Sequence, residues 1–354
     1  MSHSEYTKPP LASVIIVNWN GVRFLQECLE SLFNQTFQDF ELIIVDNAST
    51  DGSVEFIAGY PRVKLVSLAL NTGFAAGNNI GFQNASGEYI VILNNDTCAE
   101  PDWLEKLVKV ADANPGVGMI GCRTCVYGDK DTIDTIGGSI CRDGMSRGGY
   151  RLRSFSELGL EAVEEGLYPS GCAALYKRAM LNETGFFDDD FFAYAEDTDL
   201  GLRGQLAGWK TLIVTNAIVH HKYSGTGGAF SPLKLYLVER NHYWVAIKNF
   251  PLPLLALLPF WTCVRYAIQF FVVLSGRGSG AEFRSSTFPA ECIFALTRAT
   301  RDALIGLPRQ WQKRRRIYRR RRIGSFEMMR LIRRFRLSFL ELLDYNRTTG
   351  ADRE

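Results

Sequence analysis

Four β-branched apolar runs recur through the first hundred residues, each ending in a polar cluster, and this alternation constrains the fold more than any other feature. Residues 13–18 (Ser-Val-Ile-Ile-Val-Asn) precede Phe24, Cys28, Leu29 and Leu32 at helical spacing. Residues 40–45 run into Asp46 and a Ser-, Thr- and Asp-rich stretch suited to capping a helix from Ser53. Residues 63–68 lead through the polar turn 71–79 into another helix, and residues 88–93 deliver Asn94, Asn95 and Asp96. Continuous apolar strands of this kind are covered on both faces, and such sheets bind ligands outside their strand carboxyl ends. The prediction is an α/β fold with a doubly wound, mostly parallel sheet and a nucleotide crevice at its strand tips.

Beyond Gly116 the pattern loosens, with Gly137-Gly138 and Gly148-Gly149 marking turns between short β-like pieces. Residues 168–177 read as a further buried strand, followed by an acidic and aromatic stretch at 186–203. The organisation expected is a polar tail over 1–10, a domain over 11–250 with nucleotide-binding (11–100) and acceptor-binding (101–250) halves, and an apolar and basic helical region over 251–354. The tail has no apolar core of a secretory signal, so the catalytic part is expected in the cytosol. Eight scattered cysteines, with Cys122 and Cys125 the one close pair, read as buried reduced thiols and not as a zinc site.

Residues 251–275 are mostly apolar but contain three prolines, Arg265 and Gln269. A central Arg costs about 2.5–3.5 kcal/mol on insertion scales, which disfavours a clean span. Residues 309–336 hold thirteen Lys or Arg against one Glu, a net +12 in a chain of net +2, leaving −10 elsewhere. A single crossing would carry that cluster to the far side of the membrane, against the positive-inside rule. An interfacial or re-entrant segment fits better, with the basic cluster adding about 1 kcal/mol per Lys or Arg on an anionic leaflet. The membrane surface is thus the expected partner of 251–336. No nucleic acid is expected, because no reading module accompanies the charge.

The polar residues at the predicted strand tips carry the chemistry. Asn18, Trp19 and Asn20 follow the first strand, Asp46 the second, Asn78 and Asn79 the third turn, Asn95 and Asp96 the fourth. A carboxylate can accept from a pyrimidine N–H, Trp19 can stack on a base, and Asp96 can hold a cation that neutralises a diphosphate. An Asx turn ahead of a helix near Pro101 would account for Asp96 equally well. Glu196, Asp197 and Asp199 crowd the start of a helix, where the dipole alone favours negative charge. Asp197 is the candidate general base, with Asp199 assigned to an i, i+4 pair with Arg203. His220 and His221 follow a strand-like run, and one of them could complete an N/O shell for Mn²⁺ or a similar ion.

At these residues the chain resembles family 2 glycosyltransferases of the GT-A fold, in particular their rhamnosyltransferase-like bacterial branch. The likeness covers about 11–250. It rests on residues 14–20, 45–51, 71–81 and 93–96, on 196–200, and on His221 with Ser224. The resemblance implies a nucleotide-diphospho-sugar transferase. Asn18, Trp19, Asn20, Asp46, Asn79 and Asn95 would face the donor nucleotide, Asp96 and His221 a divalent metal (Mn²⁺ or Mg²⁺), and Glu196, Tyr194 and Gly171 the acceptor, with Asp197 as base. His221 is preferred over His220 for its spacing to the Ser-Gly-Thr turn at 224–226. Asn94 stands where an Asp-x-Asp motif would have its first aspartate, lowering the charge on the metal side. The reaction implied is inverting transfer of a sugar, L-rhamnose from dTDP-L-rhamnose first, to a lipid-linked glycan in cell-surface polysaccharide synthesis. Such an enzyme is expected at the cytoplasmic face of the inner membrane, peripheral or monotopic. A UDP-hexose donor and a non-catalytic nucleotide-sugar-binding scaffold are the alternatives. A nucleotidyltransferase or an NAD enzyme is disfavoured, since neither a phosphate loop nor G-x-G-x-x-G follows the first strand.

Overall fold

The structure is a computed structural model describing residues 8–222, 231–275 and 289–343. Its first part is strictly alternating: β1 (Ala12–Asn18), α1 (Val22–Phe33), β2 (Phe40–Asp46), α2 (Ser53–Ala58), β3 (Val63–Ser67), α3 (Gly73–Gln83) and β4 (Tyr89–Leu93). The apolar strands are buried as their composition requires, and α1 turns Leu25, Cys28, Leu29 and Leu32 inward at i, i+3, i+4, i+7 spacing. Strands β1, β2, β3 and β4 pair in parallel, and the β1–β2 register sets Asn18 opposite Asp46. A shared register brings their polar tips to one level, as the alternation predicted.

The second part holds β5 (Thr97–Ala99), α4 (Trp103–Ala113), β6 (Val117–Val126), β7 (Ile133–Ile136), β8 (Gly138–Ile140), β9 (Ser146–Gly148), β10 (Val163–Gly166), β11 (Ala173–Lys177), α5 (Arg178–Thr184), α6 (Glu196–Leu206) and β12 (Lys210–His221). Strand β11 inserts antiparallel between β4 and β6, giving a ten-stranded sheet of order β10-β12-β6-β11-β4-β1-β2-β3, with β5 and β7 paired to β12 and β6. All eight cysteines are free thiols.

One boundary differs from the sequence reading. The stretch 71–79 is not a loop before a helix, because α3 already starts at Gly73. Gly73 adopts a left-handed φ of 86°, and a Cβ there would lie 2.5 Å from the Phe192 carbonyl oxygen. The Asn47 side chain takes the Thr72 N–H at 2.8 Å and starts the helix. Asn78 and Asn79 are therefore helical residues and not tip residues.

The helices α7 (Pro232–Asn249), α8 (Leu252–Ala256), α9 (Leu258–Ser275), α10 (Pro289–Arg320), α11 (Ser325–Arg334) and α12 (Phe339–Leu343) complete the chain. They share a core with the α/β part, in which Trp244, Phe250, Leu258, Met328 and Ile332 pack with Tyr168, Phe191, Leu202 and Leu206. Among the described residues no helix is long and apolar enough to cross a membrane. Arg265 is fully buried and gives a bidentate ion pair to Glu239, 2.8 Å at both nitrogens, and a further bond to Asp143.

Candidate donor and catalytic site

The tips of β1, β2 and β4 are locked by one amide–carboxylate network. Asn18 donates to Asp46 Oδ1 (3.0 Å) and to Ser49 Oγ (3.1 Å), and its own oxygen accepts from Asn95 at 2.7 Å. The Ser49 N–H closes on Asp46 Oδ2 at 2.9 Å. Gly21 has to be glycine, because a Cβ there would sit 2.1 Å from Asn95 Nδ2. Asn18 and Asn95, expected to face the donor, are buried and brace each other and Asp46. Asp46 is equally buried, with one bond on each oxygen and lone pairs left over. Asn20 takes a left-handed φ of 50° and fixes the next turn by accepting the Thr50 N–H. Trp19, 43% exposed, stands at the rim where a base could stack. Asn79 is a correction: as a helical residue it clamps Phe187 and Asp189 through its amide, at 2.8 and 2.6 Å, and has no place among the tips.

The second cluster is built by pairing β5 against β12, which sets His221 opposite Thr97 and brings the Lys222 N–H to the Asp96 carbonyl. Successive strand residues point to opposite faces, so the two histidines separate. His220 turns to Glu100 at 3.0 Å, while His221 Nε2 meets Asp96 Oδ1 at 3.3 Å. His221 Nδ1 lies 2.8 Å from Asp134 Oδ2, and Asp134 also holds Arg151. Burial disfavours the His221 imidazolium, but Cys172, Asp134 and Asp96 outweigh it and hold its pKa well above the ordinary value. Among the described residues no group of three His, Cys, Asp or Glu forms a metal cage. The Asp96 and His221 pair nevertheless fits a hard or borderline divalent ion. A carboxylate on Nδ1 is the usual partner that orients a metal-ligating histidine, and here it turns Nε2 toward Asp96. The Ser224 turn used in the sequence argument lies outside the described residues.

Beside this pair lies the third cluster. The turn leading into α6 is held in left-handed backbone at Phe192 (φ 64°), Tyr194 (70°) and Ala195 (67°), a concentration of strain typical of functional segments. Its clamp is Asn241, buried in α7, whose amide donates to the carbonyls of Phe191, Ala193 and Tyr194 at 3.1, 2.9 and 2.7 Å. Asp197, at the first turn of α6, accepts from the Gly171 N–H at 2.9 Å and the Thr198 N–H at 2.6 Å. Burial raises its pKa in spite of these bonds. The neighbouring Cys172 carbonyl takes the Asn94 N–H at 2.8 Å, so one short segment touches both the candidate base and the strand carrying Asp96. Gly171, expected on the acceptor side, gives its N–H to the cradle of Asp197. Tyr194 lies half-buried near Lys234. Asp199 makes the expected bond to Arg203 at 2.8 Å, and Lys248 and Asn249 complete its partners.

Glu196, expected on the acceptor side, is buried, and its Oε2 has no protein partner among the described residues. Burial first and the Asp197 charge second push its pKa from 4.5 up to about 8, leaving it neutral at pH 7. The folded chain then binds a proton that the unfolded chain releases, and stability falls as pH rises from 4.5 to about 8. Glu196→Gln is expected to remove that slope, melting a few degrees above the wild type at pH 8 but not at pH 5. Thermal melts across this range check it, and wild-type and variant curves that stay parallel would contradict it.

A doubly wound sheet with these three clusters at its strand ends places the chain among GT-A glycosyltransferase folds. A mannosyltransferase from Pyrobaculum calidifontis, solved in complex with GDP-Man and Mn²⁺, superimposes with a TM-score of 0.51 over 87% of this chain and 89% of its own, at 20% identity. Residues 13–185 match the model of glycosyl transferase family 2, so the chain carries a domain of that family. Over 240 residues it is 28% identical to the N-acetylglucosaminyl-diphospho-decaprenol L-rhamnosyltransferase of Mycobacterium tuberculosis, covering 60% of this chain and 77% of that one. Over 253 residues it is 36% identical to hyaluronan synthase of Pasteurella multocida, 70% of this chain but 24% of the synthase. The chain spans 39% and 40% of the length of two Haemophilus influenzae glycosyltransferases that it also matches.

Proposed function

We propose that the protein is an inverting glycosyltransferase that moves a sugar from a nucleoside-diphosphate donor to a hydroxyl of a lipid-linked glycan in cell-surface polysaccharide synthesis. L-Rhamnose from dTDP-L-rhamnose is the first choice of donor. The observation that carries the chemistry is the cradle of Asp197 beside the Asp96 and His221 pair, with Gly171 and Cys172 bridging them. Asp46 and Trp19 would receive the base. Asp96 and His221 would hold Mn²⁺ or Mg²⁺, which supplies charge neutralisation to a departing diphosphate. Asp197 takes the proton of the acceptor hydroxyl as its oxygen bonds to the anomeric carbon. The bond from that carbon to the diphosphate oxygen breaks with its electrons on the nucleotide, and the anomeric configuration inverts.

The likeness to the mycobacterial rhamnosyltransferase supports the donor and the polyprenyl-type acceptor. The likeness to hyaluronan synthase favours a second reading, the same chemistry with a UDP-sugar. The basic α10 and the exposed aromatic residues near it support residence on the cytoplasmic face of a membrane. Nucleotide sugars offered with and without Mn²⁺ or Mg²⁺ test the proposal, read by thermal stabilisation and slow donor hydrolysis. Metal-dependent stabilisation by dTDP-rhamnose is expected in the wild type and absent in Asp96→Ala. A response to UDP-sugars alone would select the second reading. A folded protein that responds to no nucleotide sugar would overturn both.

A further inference from the structure

Three helix ends meet beside the catalytic segment. Helix α10 runs parallel to α7: Ala295 packs on Tyr236 and Leu237, Trp244 bonds the Ala303 carbonyl, and Arg314 bonds the Ile247 carbonyl. Helix α9 runs the other way, with Leu258 in the cluster of Ile247 and Phe250, and Arg265 on Glu239. The start of α7, the end of α9 and the start of α10 therefore lie at one end of the helical layer. At that end Leu233, Phe270, Phe271, Ile293 and Phe294 are 58–69% exposed. Phe192, Ala193 and Tyr194, the turn leading to Asp197, pack against Tyr236, Leu237 and Ala295 at the same place.

The exposed face of α10 changes character along its length. Its inner row, Cys292, Ala295, Ala299, Ala303, Gln310 and Arg314, is buried at helical spacing. The opposite row carries Phe294 and Ile305 with Arg298 and Arg301 in the first half, and Arg309, Arg316 and Arg319 with Gln312 in the second, all exposed and 3–4 residues apart in turn. A helix whose solvent face mixes large apolar side chains with arginines in its first half and is basic and polar in its second matches a bilayer interface, where hydrocarbon and anionic headgroups lie side by side. Five exposed large apolar side chains at one helix end exceed the scattered single residues that ordinary surfaces show.

We propose that this end of the helical layer is a bilayer-docking edge: the aromatic and aliphatic side chains at the start of α10 and the end of α9 enter an anionic leaflet, and α10 lies along the interface with its distal arginines on lipid headgroups. The inference deepens the reading of a lipid-linked acceptor, because the docked edge would hold the turn before Asp197 at the membrane surface. The occupant is an anionic phospholipid bilayer, selected by charge complementarity with the arginine half of the stripe.

Sedimentation with vesicles of phosphatidylcholine alone, or of phosphatidylcholine mixed with anionic phosphatidylglycerol, tests the edge on the full chain. The wild type is expected to bind the anionic vesicles at least 10-fold more tightly, and added salt to weaken that binding. A triple Phe270→Ser, Phe271→Ser, Phe294→Ser variant should lose most of the binding, and a triple Arg315→Gln, Arg316→Gln, Arg319→Gln variant should lose the preference for anionic lipid. Unchanged melting temperatures would show that both variants fold. No wild-type binding, or undiminished binding by the aromatic variant, would overturn the proposal. So would a wild-type dimer by light scattering that the aromatic variant breaks, which would assign the edge to a second copy. Metal-dependent donor hydrolysis on the same preparations reports on the glycosyltransferase reading separately, since it requires no bilayer.

Discussion

Asp197→Asn is expected to lower glycosyl transfer by about 10²–10⁴-fold, the usual contribution of a positioned general base, while leaving donor-induced stabilisation in place. The substitution keeps the size and the bond from the Gly171 N–H but removes the ability to take a proton. A residue that merely held the start of α6 would instead cost melting temperature and spare the rate. The pH dependence carries a further signature. Burial raises the Asp197 pKa, so the active carboxylate form is lost at a higher pH than for an exposed aspartate. Transfer should therefore fall as pH drops through a value above the ordinary aspartate range, with donor binding much less affected. The neutral Glu196 behind it matters here, because a second negative charge in the same buried turn would raise Asp197 further and weaken the base at neutral pH in a different sense, by keeping it protonated. Rate measurements on wild type and Asp197→Asn from pH 5 to 8, with binding followed in parallel, decide the matter. A variant that keeps its rate, or a flat wild-type profile, would move the base to another group.

What could be read in advance follows from which forces are local. Apolar periodicity and turn chemistry announced β1 to β4, and a parallel register with no offset then carried Asn18 to Asp46, so the strand-tip cluster was legible in outline. Its inner logic was not. Whether an Asn at a tip faces a ligand or braces its neighbour depends on the next strand, and Asn18 and Asn95 turned out to bond each other. Asn79 was misplaced because the helix onset is set by Asn47, a residue from a different strand end, capping Thr72. Asp134 and Asn241 were missed for the same reason, each meeting its partner across 87 and up to 50 residues of chain. Asn241 did leave a trace, since residues 239–242 are four consecutive polar residues between the apolar and aromatic stretches 235–238 and 243–247. Of His220 and His221, left open in the sequence as the metal ligand, β5 pairing with β12 and strand alternation turn the second to Asp96 and the first to Glu100.

Arg265→Met is expected to destabilise the protein by about 3–5 kcal/mol, the cost of removing one partner from a buried ion network. The segment 251–275 read as poorly suited to crossing a membrane because of this arginine, and its partners explain why the residue is tolerated at all. Arg265 is fully buried, yet Glu239 and Asp143 neutralise it and Gln269 adds a bond at 3.3 Å, so α9 is docked on α7 by charge on one face while its other face is apolar and exposed. Without the guanidinium, Glu239 and Asp143 would stay buried and uncompensated. Replacing all three together (Arg265→Met, Glu239→Met, Asp143→Asn) should recover most of the loss, because no buried charge then remains unpaired. His242 offers an independent readout. Burial and the nearby Arg265 pull its pKa down to about 4 from an ordinary 6.5, so the unfolded chain binds a proton that the folded one refuses between those values. The His242 contribution to stability is therefore expected to fall as pH drops from 6.5 to about 4, opposite in sign to the Glu196 contribution over the same range. In Arg265→Met the imidazole gains the freedom to charge beside Glu239, 3.8 Å away, and that part of the slope should flatten. Urea titrations at pH 5 and 7 on the three proteins measure both effects. A single variant as stable as the wild type would mean that α9 is held by its apolar contacts with Val238 and Phe339 alone, and that the arginine is incidental to the docking of the helix.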